Sequence, residues 1–241
     1  MTDFDDELKI ITVCYNSADF IETLHKSILR TCEYPFRMVI VDNGSRCDHL
    51  RVLEKMSNRY NCNVLYRKQA TVTAPSRHHG EAIHHAVDAL SPSDIAVIVD
   101  CDSVFIKYRW AKDIVKLLDT YKHVSCRRPN IKFGCGSWFT AIRVQTIIEE
   151  NVSFLPLLTP QGKDWGRGDA YDVGSDLGRV KPWFPVIADP DKKFSPDGIG
   201  SNGHVWYIDG VPFIDHMGGC RNTDAKKKWQ SWLHKEWGIP K

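Results

Sequence analysis

The chain has 241 residues, 42% apolar and 26% charged, with a formal net charge of +2 at pH 7. That length can bury a sizeable core as one large α/β domain or two small ones, and the composition excludes a low-complexity chain. The small net charge does not by itself announce a nucleic-acid or membrane partner, and no apolar run reaches transmembrane length.

The eight cysteines (14, 32, 47, 62, 101, 126, 135 and 220) are scattered without a C-x-x-C pair. This argues against a zinc ribbon or a disulfide framework, and most are expected to be small buried core residues. The start, Met1–Glu7, is acidic and lacks the basic and apolar regions of a signal peptide. A reducing, cytoplasmic setting is therefore expected, in which the Asn151-Val152-Ser153 glycosylation match has no meaning.

Leu8–Tyr15 reads as a first strand. Ser17 follows as a helix cap, with Phe20, Ile21, Leu24, Ile28 and Leu29 at helical spacing. Phe36–Asp42 is a second strand, ended by the turn former Asn43-Gly44-Ser45. A polar helix near 47–59, a short strand at 63–66, a loop through Pro75 and a helix near 77–90 lead to the apolar run Ile95–Val99. That strand is expected to end at Asp102, with a helix near 108–120 after it. Strand–helix alternation predicts a mostly parallel sheet with right-handed crossovers. From 154 to 220 the chain is rich in Gly, Pro, Trp and Asp, a composition of loops and short strands around a site. The tail 221–241 is basic and aromatic, with Trp229, Trp232 and Trp237 on a helix. The pattern reads as one domain over 1–241: a strand–helix half at 8–110, an irregular half at 111–220 and the tail.

Three strand ends carry polar groups: Tyr15-Asn16, Asp42-Asn43-Gly44-Ser45 and Asp100-Cys101-Asp102. In a parallel sheet such ends share one edge, where ligands of open α/β sheets bind. Hard divalent cations such as Mg²⁺ or Mn²⁺ take oxygen ligands and are often held by one or two carboxylates plus phosphate oxygens. The Asp-Cys-Asp stretch is therefore a candidate metal–phosphate site, its alternative being an acidic turn that closes a strand. Asp42 suits the base or ribose edge of a nucleotide, or simple capping of its own turn.

Thr-Val-x-Tyr-Asn after the first strand, Val-Asp-Asn-Gly-Ser after the second and Asp-x-Asp after a later one together resemble the family-2 glycosyltransferases. The resemblance covers residues 8 to about 110, and more loosely Gly136–Phe139, Tyr171–Gly174 and His216–Gly219. It implies the GT-A fold and a metal-dependent, inverting transfer from a nucleoside-diphosphate sugar, most simply uridine-linked. By that resemblance Thr12, Tyr15 and Asn16 line the nucleoside pocket and Asp42 contacts the base. Asp100 meets ribose or a metal-bound water, and Asp102 ligates Mn²⁺ or Mg²⁺. His216 supplies a metal or phosphate contact from the far side, Arg221 reaches the diphosphate, and Arg77 and His79 approach the donor at a helix start. His84 and His85 are read as ordinary helix residues.

The family's acidic base motif is altered here to Tyr171-Asp172-Val173-Gly174. Asp172 is the first candidate for the base and Asp169 the second, with Asp176 as a structural capping residue. Two other patterns fail. Residues 78–85 lack the H-E-x-x-H spacing of a zinc site. The G-x-G-x-x-G match at 198–203 precedes a strand, not a helix. Trp138, Trp165, Trp183 and Trp206 suit stacking on sugars and are equally good core residues. The acceptor is expected to be a glycan or lipopolysaccharide hydroxyl. A hydroxylated base in modified DNA, and peripheral membrane contact through the Lys226–Lys228 tail, are weaker alternatives to a solvated helix. Rival classes are a sugar-nucleotide nucleotidyltransferase, which would show a Gly-rich basic loop after the first strand, and a non-catalytic nucleotide-sugar-binding module.

Overall fold

A computed structural model describes residues 7–68, 75–127, 135–156, 173–188, 204–217 and 223–239. The first half alternates β1 (Leu8–Cys14), α1 (Ala18–Thr31), β2 (Phe36–Asp42), α2 (Cys47–Arg59), β3 (Cys62–Tyr66), α3 (Pro75–Val87) and β4 (Ile95–Val99). These four strands lie in the order β3-β2-β1-β4, all parallel. Parallel neighbours need crossovers, which the helices supply. Leu8, Ile10 and Cys14 of β1 and Ile95, Val97 and Val99 of β4 face one core, while Ile11, Ala96 and Ile98 face the other. Burial on both faces is the reason β4 is apolar without interruption. α1 lays Phe20, Ile21, Leu24 and Ile28 on the first core, and α3 lays Ala82, Ile83, Ala86 and Val87 on the second.

Two boundaries differ from the sequence pattern. The strand expected to end at Asp102 stops at Val99: the Asp100 N–H still donates to the Trp138 carbonyl (3.0 Å), in register with the β4–β7 ladder, but the Ser103 N–H then donates back to the Asp100 carbonyl (3.2 Å), turning the chain. A separate strand, β5 (Ser103–Phe105), follows, and α4 (Trp110–Leu117) is shorter than the helix expected near 108–120.

The second half is more regular than its composition implies. It contains β6 (His123–Arg127), β7 (Cys135–Arg143), α5 (Val144–Glu149), a 3-10 helix (Ser175–Arg179), β8 (Trp183–Ala188), β9 (His204–Ile208), β10 (Val211–His216) and α6 (Thr223–Trp237). Among the described residues the sheet runs β3-β2-β1-β4-β7-β6-β8-β9-β10-β5. Past β4 its pairs are antiparallel except β6–β8. β9 and β10 join through Asp209-Gly210, both at positive φ (+49° and +76°), the turn that matches strand twist. The tail does form a helix, solvated on one face only: Lys227, Lys228, Lys235 and Glu236 are exposed. Trp229 and Leu233 of α6 are buried, Lys226 ion-pairs with Asp19, and Gln230 Nε2 donates to Thr23 Oγ1 (3.0 Å), so α6 runs alongside α1.

Two further devices hold the second core. At Gly80 of α3 an added Cβ would meet the Phe154 carbonyl oxygen at 2.5 Å, while His84 Nε2 accepts the Phe154 N–H (3.0 Å). His123, 0% exposed, points Nε2 at the Leu177 and Val180 carbonyls, 3.1 Å from each. Carbonyls only accept, so Nε2 carries the hydrogen. Nδ1 then accepts from the Ser125 hydroxyl (2.8 Å), which accepts in turn from Thr140 (2.9 Å).

Gly80→Ala sets a helix-propensity gain of about 1 kcal/mol against an overlap with main chain costing up to about 3 kcal/mol. Urea denaturation should show a net loss of about 2 kcal/mol. Burial pushes the His123 imidazole down to about 4. The unfolded chain binds this proton first, so its contribution is complete above about pH 6.5 and is lost as the pH falls toward 4. The window is worth about 3 kcal/mol. Denaturation at pH 7.5 and 4.5 should show a correspondingly smaller acid loss in His123→Gln.

Candidate functional site

Because β1, β2 and β4 are parallel, residues 15–17, 42–45 and 100–102 leave the sheet at one edge, and hydrogen bonds tie the three loops together. Asn16, at φ +54°, donates its N–H to Ser45 Oγ (2.9 Å) and accepts the Arg46 N–H on Oδ1 (2.9 Å). Ser17 sits at the start of α1, but its hydroxyl does not cap the helix. It accepts the Cys101 thiol (3.3 Å) and the Tyr15 N–H (3.3 Å), linking the first loop to the acidic turn. Burial raises the neighbouring Cys14 thiol, which keeps it protonated. Tyr15 is 42% exposed at the rim, whereas Thr12 is buried inside β1. Asp42 is 2% exposed, and its carboxylate accepts the N–H groups of Gly44 (3.1 Å) and Ser45 (3.2 Å), the turn-capping geometry.

The acidic turn meets the end of β10. β5 pairs with β10 so that Ser103 faces His216, and the Met217 N–H donates to the Asp102 carbonyl (2.9 Å). His216 Nε2 consequently lies 3.3 Å from Asp102 Oδ1 and 3.7 Å from Asp100 Oδ2. One ligand atom from each of Asp100, Asp102 and His216 falls within 4.8 Å of the other two. Two carboxylate oxygens and an imidazole nitrogen, with Asp102 buried and the other two partly so, suit a hard or borderline divalent cation and leave room for oxygens from a ligand. The residues present therefore fit such an ion. The next residue back, Asp215, points to the opposite face. Burial pushes its carboxyl up to about 7, against the Trp229 indole N–H (3.3 Å) and the His216 charge.

The start of α3 closes a second side. His79 Nε2 stands 3.7 Å from Asp100 Oδ1, opposite His216. Arg67, just past β3, donates to Asn43 Oδ1 (3.2 Å), the His78 carbonyl (3.1 Å) and Glu81 (3.1 Å), and Asn43 Nδ2 reaches the same carbonyl (3.3 Å). Arg77 pairs with Glu81 (3.2 Å) at the helix surface. Burial alone would raise Glu81, but the hydrogen bonds from Arg67, Arg77 and His78 together hold it below the usual carboxylate range. Arg67 carried no motif and was invisible in the sequence; only the fold gives it three acceptors at once.

The candidate residues Asp169, Asp172 and Arg221 lie outside the described residues, as does Trp165. Asp176 is structural: its carboxylate accepts the Ser153 N–H (2.9 Å) and pairs with Arg179 (2.8 Å). His84 packs against Phe154 with its imidazole lowered by burial, an ordinary helix residue. The described tryptophans among those offered for sugar stacking are otherwise engaged. Trp183 stacks on His123 (5.5 Å between centroids), and Trp138 lies against Trp206 (3.9 Å) and His216 (4.9 Å).

The model of glycosyl transferase family 2 matches residues 9–173. No curated protein matches the chain. Among solved structures, Staphylococcus aureus TarS in complex with UDP-GlcNAc superposes with a TM-score of 0.54 at 16% identity, over 75% of this chain and 56% of that one. A longer S. aureus TarS structure gives 0.55 at 16% identity, over 77% and 35%. The mannosyltransferase PcManGT from Pyrobaculum calidifontis, in complex with GDP-Man and Mn²⁺, gives 0.49 at 19% identity, over 63% and 49%. At these identities the likeness is one of fold. The chain spans about half the length of these relatives or less, from 35% to 56% of each.

No described helix is long and apolar enough to cross a membrane. A cation seated on Asp100, Asp102 and His216 binds the folded state alone, so Mn²⁺ at a hundredfold excess over its dissociation constant should add about 2.7 kcal/mol. That corresponds to a Tm rise of about 5–10 °C for a domain of this size. Differential scanning fluorimetry should find the rise in the native chain and lose most of it in Asp102→Asn and in His216→Ala.

Proposed function

Because the chain belongs to glycosyl transferase family 2 and has the α/β architecture of GT-A glycosyltransferases, we propose that it transfers a sugar from a uridine-diphosphate donor to a glycan hydroxyl, with inversion and with help from a divalent cation. The observation that carries this reading is the meeting of Asp100, Asp102 and His216 at the edge where β1 and β2 also end. TarS, a structural neighbour, is seen with UDP-GlcNAc, which supports a uridine donor.

In this reading Tyr15 and Asn16 meet the nucleoside, while Thr12 and Asp42 shape the pocket from within, Asp42 by holding the 43–45 turn that floors it. Asp100, Asp102 and His216 surround the cation, Asp100 on the ribose side. When bound, Mn²⁺ or Mg²⁺ would offset charge on the leaving diphosphate. His79, Arg77 and Arg221 add positive groups and donors around the same diphosphate. In one displacement the acceptor oxygen bonds to the anomeric carbon as that carbon's bond to the diphosphate breaks. The hydroxyl proton passes to a carboxylate, for which Asp172 is the first candidate and Asp169 the second.

The test is a panel of nucleoside diphosphates and their sugars, each with and without Mn²⁺, read as thermal stabilisation and then as donor turnover. UDP and one UDP-sugar should stabilise the chain more than other nucleotides, and only with the cation present. Asp172→Asn should keep this stabilisation and lose turnover by about a thousandfold or more, the scale of removing a general base. Stabilisation without any turnover on a glycan acceptor array would instead identify a binding module.

A further inference from the structure

The Trp138 side chain and backbone touch the two parts of the chain that form the proposed cation site. Its carbonyl accepts the Asp100 N–H at 3.0 Å, the last bond of the β4–β7 ladder before the acidic turn. Its indole lies under the His216 imidazole, with centroids 4.9 Å apart and planes within 5°. We infer that Trp138 is a positioning residue that sets the plane of the His216 ring beside the Asp100–Asp102 turn. The inference rests on the reading of those three residues as cation ligands.

An imidazole offers its lone pair only in the ring plane, so the ring must be held at one rotation to serve as a ligand. The torsion that turns the ring is soft and broad, so its neighbours must fix it. Ligating histidines are held by the groups around the ring, and here one of them is a flat apolar face, the Trp138 indole. Trp138 is itself 2% exposed and wedged against Trp206, with 3.9 Å between centroids, so it cannot turn away. The strand beneath is fixed independently. Asp215 points to the far face and accepts the Trp229 indole N–H (3.3 Å), and Ser103 holds the register across β5. With the strand pinned, the flat Trp138 face limits rotation of the His216 ring. Burial keeps Trp138 from touching a donor, so its effect runs through His216.

The test compares Trp138→Phe, which keeps a flat face, with Trp138→Leu, which keeps apolar bulk without one. Mn²⁺ dissociation constants are read from the electron paramagnetic resonance signal of the free ion, without donor or turnover. Circular dichroism confirms that each variant is folded. Trp138→Leu should weaken Mn²⁺ by about tenfold or more, the usual scale for a residue that orients a metal ligand, and Trp138→Phe should recover most of that loss. In a His216→Ala background Trp138→Leu should add little, because its target is gone. Equal affinity in the Phe and Leu variants, or a full additional loss in the His216→Ala background, would overturn the inference. If His216→Ala alone leaves Mn²⁺ affinity unchanged, the cation reading itself fails, a result distinct from either of those.

Discussion

The pairing of β5 with β10 is the contact on which the site depends. Ser103 stands opposite His216, and residues opposite one another in an antiparallel pair have Cβ atoms about 5 Å apart. That register brings an imidazole from late in the chain to two carboxylates from its middle. The pairing is possible because the β4–β7 ladder stops at Asp100, releasing the chain into a turn and a new strand. Had β4 run on to Asp102, Asp100 and Asp102 would still share a face, being two residues apart, but no separate strand would be free to pair with β10. The short turn frees β5 for that pairing and so brings His216 to the two carboxylates.

Around that point the loops are fixed by their own polar groups. Asn16 and Ser45 hold the first loop to the second, Ser17 holds the first to the acidic turn, and Arg67 and Asn43 hold the end of β2 to α3. These are short loops on a rigid sheet, which is how functional groups keep their spacing without a core of their own. The burial of Asp42 belongs to the same logic. A carboxylate that organises two backbone N–H groups shapes the pocket whether or not it also reads a base.

Much of the parallel half was legible in the sequence. β1, β2 and β4 announce themselves because burial on both faces demands unbroken β-branched runs, and α1 because its apolar residues recur every three or four positions. The acidic turn and His216 were legible only through motif order; nothing local to His216 says which strand it will face. The antiparallel half was read as irregular because its strands are short, and Trp and Pro obscure their alternation. One local signal did exist there: Asp209-Gly210 between two apolar runs marks a hairpin, and that hairpin delivers His216. His123 and Arg67 could not be read as structural, since their partners come from segments far away in the chain. The tail was legible as a helix, but not its docking, which needs the position of α1.

The helix pair α1 and α6 has a consequence for how the chain is made. α1 is synthesised well before α6, yet they lie side by side, with Trp229 against both Phe20 and Asp215. A nascent chain can pair β1 to β4 as soon as they emerge, since those contacts are comparatively local. The carboxylates of the acidic turn then wait without their third partner while the rest is translated, because closing so long a loop must precede any contact that rewards it. Ligand-binding competence thus arrives late and as a whole. A chain interrupted before β10 would keep a sheet that looks native and would lack the His216 side of the site.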